Sequence, residues 1–238
     1  MIKGMINVVD PLYQVTYTCL HCAGEYVSSR VRPSFKKPYK RDADFCLHYH
    51  EVNPEYYVVR VCKHCGFAAT ENFTMKITDS QKRQFMKMIG DEWRGHDYGY
   101  ERTWKDALET YKLALLCAQI KEESSRVIAG ILHHIAWMYR YEENAQMEQR
   151  FLEYTLDAYT NVYESGEDEL NDAKLMFIMG EVNRRLRRHH EAVKWFSRVV
   201  NDKKIMDANM IRACREQWAV VREELDEMKQ EDISASSL

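Results

Sequence analysis

The first 79 residues alternate between apolar and polar side chains with a period of two. Residues 13–17 carry Tyr, Val and Tyr on one face and lead directly into Cys19. Residues 57–61 carry Tyr, Val and Val in the same alternation and lead into Cys62. This pattern is typical of β-strands that bury one face. It predicts a small strand-rich module in which each of two cysteine pairs lies at the end of a strand.

From about Thr78 onward the apolar positions follow the 3.6-residue period of α-helices. Thr103 and Asp106 form a Thr-x-x-Asp capping box, which predicts a helix that begins there and continues to about Ile120. Gly166 is expected to end a later helix. Further apolar stripes predict helices around residues 128–139, 147–162, 175–186, 192–200 and 211–225. The predicted fold class is α+β and mostly α.

One pair of predicted helices carries the spacing of a tetratricopeptide repeat, abbreviated TPR. Gly180 stands where a small residue lets the first helix pack closely, and Ala192, Phe196 and Val199 follow at the repeat's spacing. The match is partial, and a generic helical bundle is the alternative interpretation. We therefore expect antiparallel, TPR-like helical pairs in the second part of the chain.

The change of periodicity divides the chain into three predicted parts. Residues 1–79 form a zinc-ribbon-like module with a four-cysteine site, and residues 80–230 form a TPR-like helical domain. Residues 231–238 form a tail that is expected to fray because a chain end makes few contacts.

Composition supports a helix-rich globular protein and reduces the classes of partner to be expected. The 238 residues are 45% hydrophobic and include only 9 Gly and 4 Pro, which excludes glycine-rich and collagen-like architectures. A formal net charge of −3 indicates no global basic field for nucleic acid or an acidic membrane. The first residues lack the apolar run of a secretion signal, and no stretch is apolar enough to span a bilayer. We expect a cytoplasmic protein without membrane contact.

Two Cys-x-x-Cys pairs carry the strongest chemical signal in the chain. Cys19 with Cys22 and Cys62 with Cys65 supply four thiolates, the ligand set that zinc prefers in a structural site. A redox or empty dithiol is the alternative, but a thioredoxin-type motif requires a strand-to-helix context that neither pair has. The prediction is one structural zinc ion held by these four cysteines. A glycine close after each pair is expected to permit a tight turn.

A second group of metal-ligand residues follows between the pairs. Cys46, His48 and His50 alternate along a segment predicted to be extended, so all three could point to one face and bind a second metal. The simpler interpretation is that they pack and form hydrogen bonds. His50 and Glu51 resemble the start of a metalloprotease motif, but Pro54 occupies the place of its second histidine. A metal-dependent hydrolase is therefore the last-ranked hypothesis, and the chain carries no other enzyme signature.

Two basic clusters could bind anions. Between Glu25 and Asp42 every charged residue is basic, and Phe35 and Tyr39 are interleaved among them. This basic loop, residues 30–41, suits phosphate contact and base stacking, although a solvated loop is the simpler interpretation. The second cluster lies near a predicted helix C-terminus, where the helix dipole favours cations and a peptide carboxylate could dock. It consists of Arg184, Arg185, Arg187 and Arg188.

Several segments together resemble a known family. They are residues 41–46, Tyr49, Asn53, Pro54, Tyr57 and residues 61–69. The chain resembles an uncharacterised bacterial family, domain of unknown function 2225, over nearly its whole length. The resemblance implies an N-terminal cysteine-pair module, with ligands at Cys19, Cys22, Cys62 and Cys65, followed by TPR-like helices. Leu20, Lys63 and Phe67 depart from the family pattern and leave the ligands intact. The resemblance implies no activity.

These observations favour a zinc-binding adaptor over an enzyme. A complete four-cysteine site and a repeat-like helical array stand without a catalytic constellation, so we expect a protein or peptide partner on the helical face. Nucleic-acid contact through the zinc module and the basic loop 30–41 is the alternative.

Overall fold

The computed structural model describes residues 9–166 and 172–235. It confirms the predicted class, which is mostly α with a small antiparallel strand module near the N-terminus. The strands are β1 (Leu12–Thr18), β2 (Glu25–Val31), β3 (Lys40–Arg41), β4 (Leu47–His48), β5 (Arg60–Val61) and β6 (Ala68–Ala69). The described α-helices are α1 (Asp79–Met88), α2 (Trp104–Ile120), α3 (Ser125–Tyr141), α4 (Ala145–Ser165), α5 (Asp172–Arg185), α6 (His189–Asn201) and α7 (Ala208–Ala235).

The described residues form two compact units. The cysteine unit contains residues 9–41 and Leu47–Met138. The helical unit contains Asp42–Cys46 together with residues 139–166 and 172–235. The sequence-based boundary after residue 79 rests on the change of periodicity and stays a prediction.

Strands in the cysteine unit pair as three antiparallel hairpins. The longest joins β1 to β2 with seven facing pairs, from Leu12 opposite Val31 to Thr18 opposite Glu25. The β3–β4 and β5–β6 hairpins are two residues long on each side. The predicted strand that leads into Cys19 is confirmed by β1.

The strand predicted over residues 57–61 is shorter than expected. Residues Pro54–Tyr57 form a 3₁₀ helix, and only Arg60–Val61 pairs as a strand. Asn53 begins this helix, because its side-chain oxygen accepts a hydrogen bond of 3.0 Å from the backbone N–H of Glu55. Proline suits the first position of a helix because it has no N–H to leave unpaired. This local hydrogen bonding overrides the alternating pattern.

Capping residues set where the helices of the cysteine unit begin. Thr103 and Asp106 form the predicted capping box, and α2 ends at Ile120 as expected. A second box, of Thr78 and Gln81, opens α1. In each box, side chains satisfy backbone N–H groups that have no partner within the helix.

A buried arginine joins distant segments of the cysteine unit. Arg102 is 4% exposed, and its guanidinium donates to the carbonyls of Tyr98, Tyr56 and Val59 at 2.7 to 2.9 Å. Burial lowers the pKa of Arg102 to about 10. The carbonyl oxygens replace water around the guanidinium, so Arg102 holds the loop before α2 against the segment before β5.

Two glycines act as predicted in the helical unit. Gly166 ends α4 in the left-handed conformation, with φ of 63°. At Gly180 a Cβ atom would collide with the ring of Phe196, so only glycine lets α5 and α6 approach this closely. The close packing is confirmed, while the assignment of these helices as a TPR stays a prediction.

A short segment from the N-terminal half of the chain is anchored in the helical unit by charge. Asp44 is fully buried, and Arg140 binds its carboxylate with two hydrogen bonds of 2.9 and 2.7 Å. Arg140 also pairs with Asp42 at 3.0 Å and with Glu148 at 2.7 Å. Paired in this way, the buried charges fix the segment Asp42–Cys46.

The last helix extends beyond its predicted end. α7 continues to Ala235, whereas residues 236–238, part of the tail predicted to fray, lie outside the described residues. Among the helices of the described residues, none combines the length and the apolar character needed to cross a membrane.

Candidate metal centre

The four predicted ligand cysteines lie together in the cysteine unit. The sulfur atoms of Cys19, Cys22, Cys62 and Cys65 are all within 4.8 Å of one another. Two contacts link the pairs, because Cys19 Sγ lies 3.7 Å from Cys65 Sγ and Cys22 Sγ lies 3.7 Å from Cys62 Sγ. All seven cysteines of the chain are free thiols, so no disulfide competes for these sulfurs.

The first pair sits on a tight turn, a knuckle, between β1 and β2. The backbone N–H of Cys19 donates to Gly24 O at 3.0 Å, and the N–H of Ala23 donates to Cys19 O at 3.0 Å. Ala23 adopts a left-handed φ of 58°. The glycine that follows the pair was expected to take this strained position, but alanine takes it instead.

The second pair sits on an equivalent knuckle between β5 and β6. The N–H of Cys62 donates to Phe67 O at 2.9 Å, and the N–H of Gly66 donates to Cys62 O at 2.8 Å. Here glycine does occupy the left-handed position, with φ of 78°. The prediction of a glycine turn is confirmed for this knuckle.

The thiols influence one another's ionisation because their sulfur atoms lie within 4.8 Å of one another. Hydrogen bonds with Cys19 and Cys65 lower the pKa of the Cys62 thiol, as do backbone N–H groups of its own knuckle. The hydrogen bond with Cys62 raises the pKa of Cys19 to about 12, and those with Cys19 and Cys62 raise the pKa of Cys65. One thiolate is thus stabilised while further negative charge is opposed. A bound cation would remove that opposition.

The sulfur geometry fits a tetrahedral ion. Four sulfurs around an ion at bond lengths of about 2.3 Å are separated by about 3.8 Å along each edge of the tetrahedron. The Cys19–Cys65 and Cys22–Cys62 Sγ–Sγ distances of 3.7 Å match that edge. A disulfide would instead bring two sulfurs to about 2.05 Å. The donor set and its spacing therefore suit a metal ion.

Histidines and a tryptophan surround the knuckles, and the sequence analysis did not single them out. His21 and His64 hold the same position in the two pairs, and each uses Nε2 to donate to a backbone carbonyl, that of Lys82 at 3.3 Å and that of Glu25 at 2.9 Å. Trp93 donates from Nε1 to Lys63 O at 2.8 Å. The repeated Cys-x-His-Cys spacing is the one signal by which the histidines could have been found.

The residues of the hypothetical second metal site belong to different units. Cys46, in the helical unit, is fully buried and donates to the hydroxyl of Tyr141 at 3.5 Å; burial raises its pKa to about 12. His48 belongs to β4 of the cysteine unit. His50, in the same unit, stacks on Tyr39 with ring centroids 4.1 Å apart. The second metal site and the hydrolase hypothesis therefore stay predictions.

The basic loop 30–41 is exposed over its second half. It contains the end of β2, a 3₁₀ helix over Pro33–Phe35 and β3. Lys36 and Lys37 are exposed, and Tyr39 is 56% exposed. Arg30 at its start pairs with Glu71. Part of the loop's charge is therefore neutralised within the cysteine unit.

The arginine cluster borders a cleft in the helical unit. The cleft has a volume of about 730 Å³ and is lined by residues of α4 to α7. Arg184 pairs with Glu181 at 2.7 Å and with Glu224 at 2.5 Å, and Arg185 pairs with Glu181 at 3.0 Å. These two arginines thus have carboxylate partners already. Arg187 also lines the cleft and is exposed.

Taken together, the cysteine cluster and the helices that follow define a class: helix-rich proteins with a four-cysteine centre suited to metal binding. A family model described as an uncharacterized protein conserved in bacteria (DUF2225) matches residues 12–221. The chain belongs to this family, as the resemblance predicted. Among curated proteins and among solved structures, the comparisons found no match.

Proposed function

We propose that this protein is a zinc-binding cytoplasmic adaptor, in which the metal stabilises the cysteine unit and the helical unit binds a protein or peptide partner. The observation that carries the proposal is the cluster of Cys19, Cys22, Cys62 and Cys65, with sulfurs within 4.8 Å of one another. Four thiolates fill every position of a tetrahedral site. Structural zinc sites are closed in this way, whereas catalytic sites keep a position for water or substrate.

Zinc is favoured over other ions by the donor set. Thiolate ligands in tetrahedral geometry select zinc or iron–sulfur chemistry, while magnesium and calcium prefer oxygen. Bound zinc would supply no reaction here. It would cross-link the β1–β2 hairpin to the β5–β6 hairpin, which is only two residues long on each side.

A reducing compartment supports this assignment. All seven cysteines are free thiols, and Cys117 and Cys214, which are not part of the cluster, are buried. Disulfides form in oxidising compartments and thiols persist in the cytoplasm. The proposal therefore places the protein in the cytoplasm.

The cleft of the helical unit is the proposed docking face. At about 730 Å³ it is large enough for several side chains of a peptide. Arg187 is exposed at the cleft, and the described residues offer its side chain no carboxylate partner. A carboxylate of the partner could therefore bind Arg187 without displacing an existing pair.

Metal content tests the first half of the proposal. We expect elemental analysis of the full chain, purified without added metal, to find one zinc per chain. Cys22→Ser and Cys62→Ser should each lose it, and because Cys22 is exposed, its replacement leaves no cavity in the core. Cys214→Ala is the matched control, since Cys214 is buried outside the cluster. A chain without zinc would contradict the proposal, and a second metal lost in a His48→Ala, His50→Ala double variant would favour the hydrolase.

Affinity capture with cleft variants tests the second half. We expect the wild-type chain to capture a bacterial protein. The Arg187→Glu variant should capture about tenfold less of that protein, or still less. Arg188→Glu is the control, because Arg188 does not line the cleft and pairs with Glu153 at 3.3 Å on the surface. If no protein distinguishes these two variants, the adaptor function on this face is wrong.

Nucleic-acid contact through the basic loop is the second candidate. It is favoured by the exposed Lys36 and Lys37 beside the exposed ring of Tyr39. Single-stranded RNA binding that weakens steeply with added salt, and that is lost when both lysines are neutralised, would support it. Binding that ignores salt would count against it.

A further inference from the structure

A cavity lies in the cysteine unit on the side of the β1–β2 hairpin that carries Tyr17. Its volume is about 220 Å³. Strands β1, β2 and β5 and the segment of residues 70–72 contribute to its lining. The lining includes the polar side chains of Tyr17, Arg30, Lys36, Arg60 and Glu71.

The charge of this lining is positive. Arg30, Lys36 and Arg60 are cations and Glu71 is the single carboxylate among the lining residues. Arg30 pairs with Glu71, and both side chains are partly exposed, at 41% and 62%. That pair is neutral overall. Lys36 and Arg60 then leave two positive charges for which the described part of the chain provides no ion pair.

Arg60 is held against an aromatic ring in the lining of the cavity. Its guanidinium carbon lies 4.7 Å from the centroid of the Tyr17 ring, a cation–π contact. Such a contact restrains the guanidinium and leaves its N–H groups available to donate to a ligand. Paired N–H donors in one plane match two oxygens of a phosphate.

Tyr17 offers a hydrogen-bond donor that the described residues leave unused. Its hydroxyl is buried and has no hydrogen-bond partner among the described residues. A buried hydroxyl without a partner destabilises a folded protein, by about 1 to 3 kcal/mol. Such groups persist where a ligand or another acceptor completes the hydrogen bond.

We propose that this cavity binds the phosphate group of a phosphate monoester or of free phosphate, with Lys36 and Arg60 neutralising its charge and Tyr17 donating to one oxygen. A phosphate monoester carries nearly two negative charges at neutral pH, which equals the unpaired charge of the lining. It also has three acceptor oxygens, enough to satisfy the tyrosine hydroxyl together with both cations. A carboxylate carries half that charge and fewer acceptors.

Titration calorimetry of the full chain as purified tests the proposal, with inorganic phosphate and adenosine 5′-monophosphate as the two probes at constant ionic strength. We expect both probes to bind and acetate not to bind. Equal affinity would place recognition in the phosphate group alone. Tighter binding of the nucleotide would extend the ligand to phosphate esters.

Matched variants make the test specific. Lys36→Gln and Tyr17→Phe should each weaken phosphate binding, the lysine variant by about tenfold. Their controls are Lys37→Gln, one residue further along, and Tyr13→Phe, on the same face of β1; neither residue lines the cavity. Without ligand, Tyr17→Phe should unfold at the same temperature or a higher one, because it removes an unpaired buried hydroxyl.

Three results would overturn the proposal. The first is no binding of either phosphate probe. The second is equal weakening by Lys36→Gln and Lys37→Gln, which would indicate a diffuse basic field and no built site. The third is a lower unfolding temperature of ligand-free Tyr17→Phe than of Tyr13→Phe, which would mean that the hydroxyl already serves the fold.

Discussion

The two cysteine knuckles have the same backbone hydrogen bonds and different residues at their most strained position. In both, the first cysteine donates to the residue five positions later, at 3.0 Å from Cys19 to Gly24 and at 2.9 Å from Cys62 to Phe67. The left-handed residue is Ala23 in the first knuckle and Gly66 in the second. The turn itself therefore does not require glycine.

The surroundings of the two left-handed residues explain why one is alanine and the other is glycine. Ala23 is exposed, so its methyl group meets solvent. At Gly66, by contrast, a Cβ atom would lie 2.5 Å from a ring carbon of Trp93. Trp93 packs over the second knuckle and donates to Lys63 O, whereas Ala23 in the first knuckle is exposed. Glycine at 66 is thus demanded by packing as well as by backbone conformation.

The largest expected effect on this comparison comes from Gly66→Ala. The variant combines left-handed strain with overlap against Trp93, and we expect it to lower the free energy of unfolding by about 2 to 4 kcal/mol. Urea unfolding would measure the change, and competition with a chromogenic chelator would report the accompanying loss of metal affinity. A double variant Gly66→Ala, Trp93→Ala should recover the part caused by overlap. If it recovers nothing, the backbone alone makes glycine necessary.

Replacing the two knuckle histidines should have a smaller effect on stability, and the effect should differ between them. His21 packs against the ring of Phe85 at 4.5 Å between centroids and is half-buried, whereas His64 is exposed. We expect His21→Ala to lower the free energy of unfolding by about 2 kcal/mol and His64→Ala by about 1 kcal/mol or less. Each retains its knuckle cysteines, so metal content should stay at the wild-type value. Equal losses would mean that the carbonyl hydrogen bond, which both histidines make, outweighs packing.

The smallest effect, and one of opposite sign, is expected from Ala23→Gly. Removing the methyl group relieves left-handed strain, while glycine gains entropy in the unfolded chain, and the difference should stabilise the protein by about 0.5 kcal/mol. Thermal unfolding would show a slightly higher midpoint. A clear destabilisation would imply that Ala23 makes a contact worth more than its backbone strain.

Local patterns in the sequence predicted the parts of the fold that depend on neighbours along the chain. β1 follows from alternation, α2 begins at the Thr103 capping box, and α4 ends at Gly166. The cluster of four cysteines was predicted from the spacing of the two Cys-x-x-Cys pairs. The strand, the helix ends and each cysteine pair depend on interactions between residues close together in the chain, so the sequence pattern is enough to predict them.

Other features depend on residues far apart in sequence and had no local signal. In the sequence Arg102 is one arginine among many. It becomes a buried hydrogen-bond donor only because the carbonyls of residues 56 and 59 lie beside it in the folded chain. The segment Asp42–Cys46 joins the helical unit only through partners such as Arg140. In residues 54–57 a proline and an asparagine cap outweighed the strand pattern.

The same distinction holds for the candidate sites. The cluster of Cys19, Cys22, Cys62 and Cys65 could be predicted from the sequence because two Cys-x-x-Cys pairs have the spacing typical of metal ligands. The sequence also determined the class of each half, strands and then helices, because hydrophobic period depends on local geometry. Only the tertiary structure brought Tyr17, Lys36 and Arg60 to one cavity, since residues from separate strands meet through packing and through no rule of spacing. It likewise decided that Gly66, and not Ala23, must be glycine, because the ring of Trp93 comes from another part of the chain.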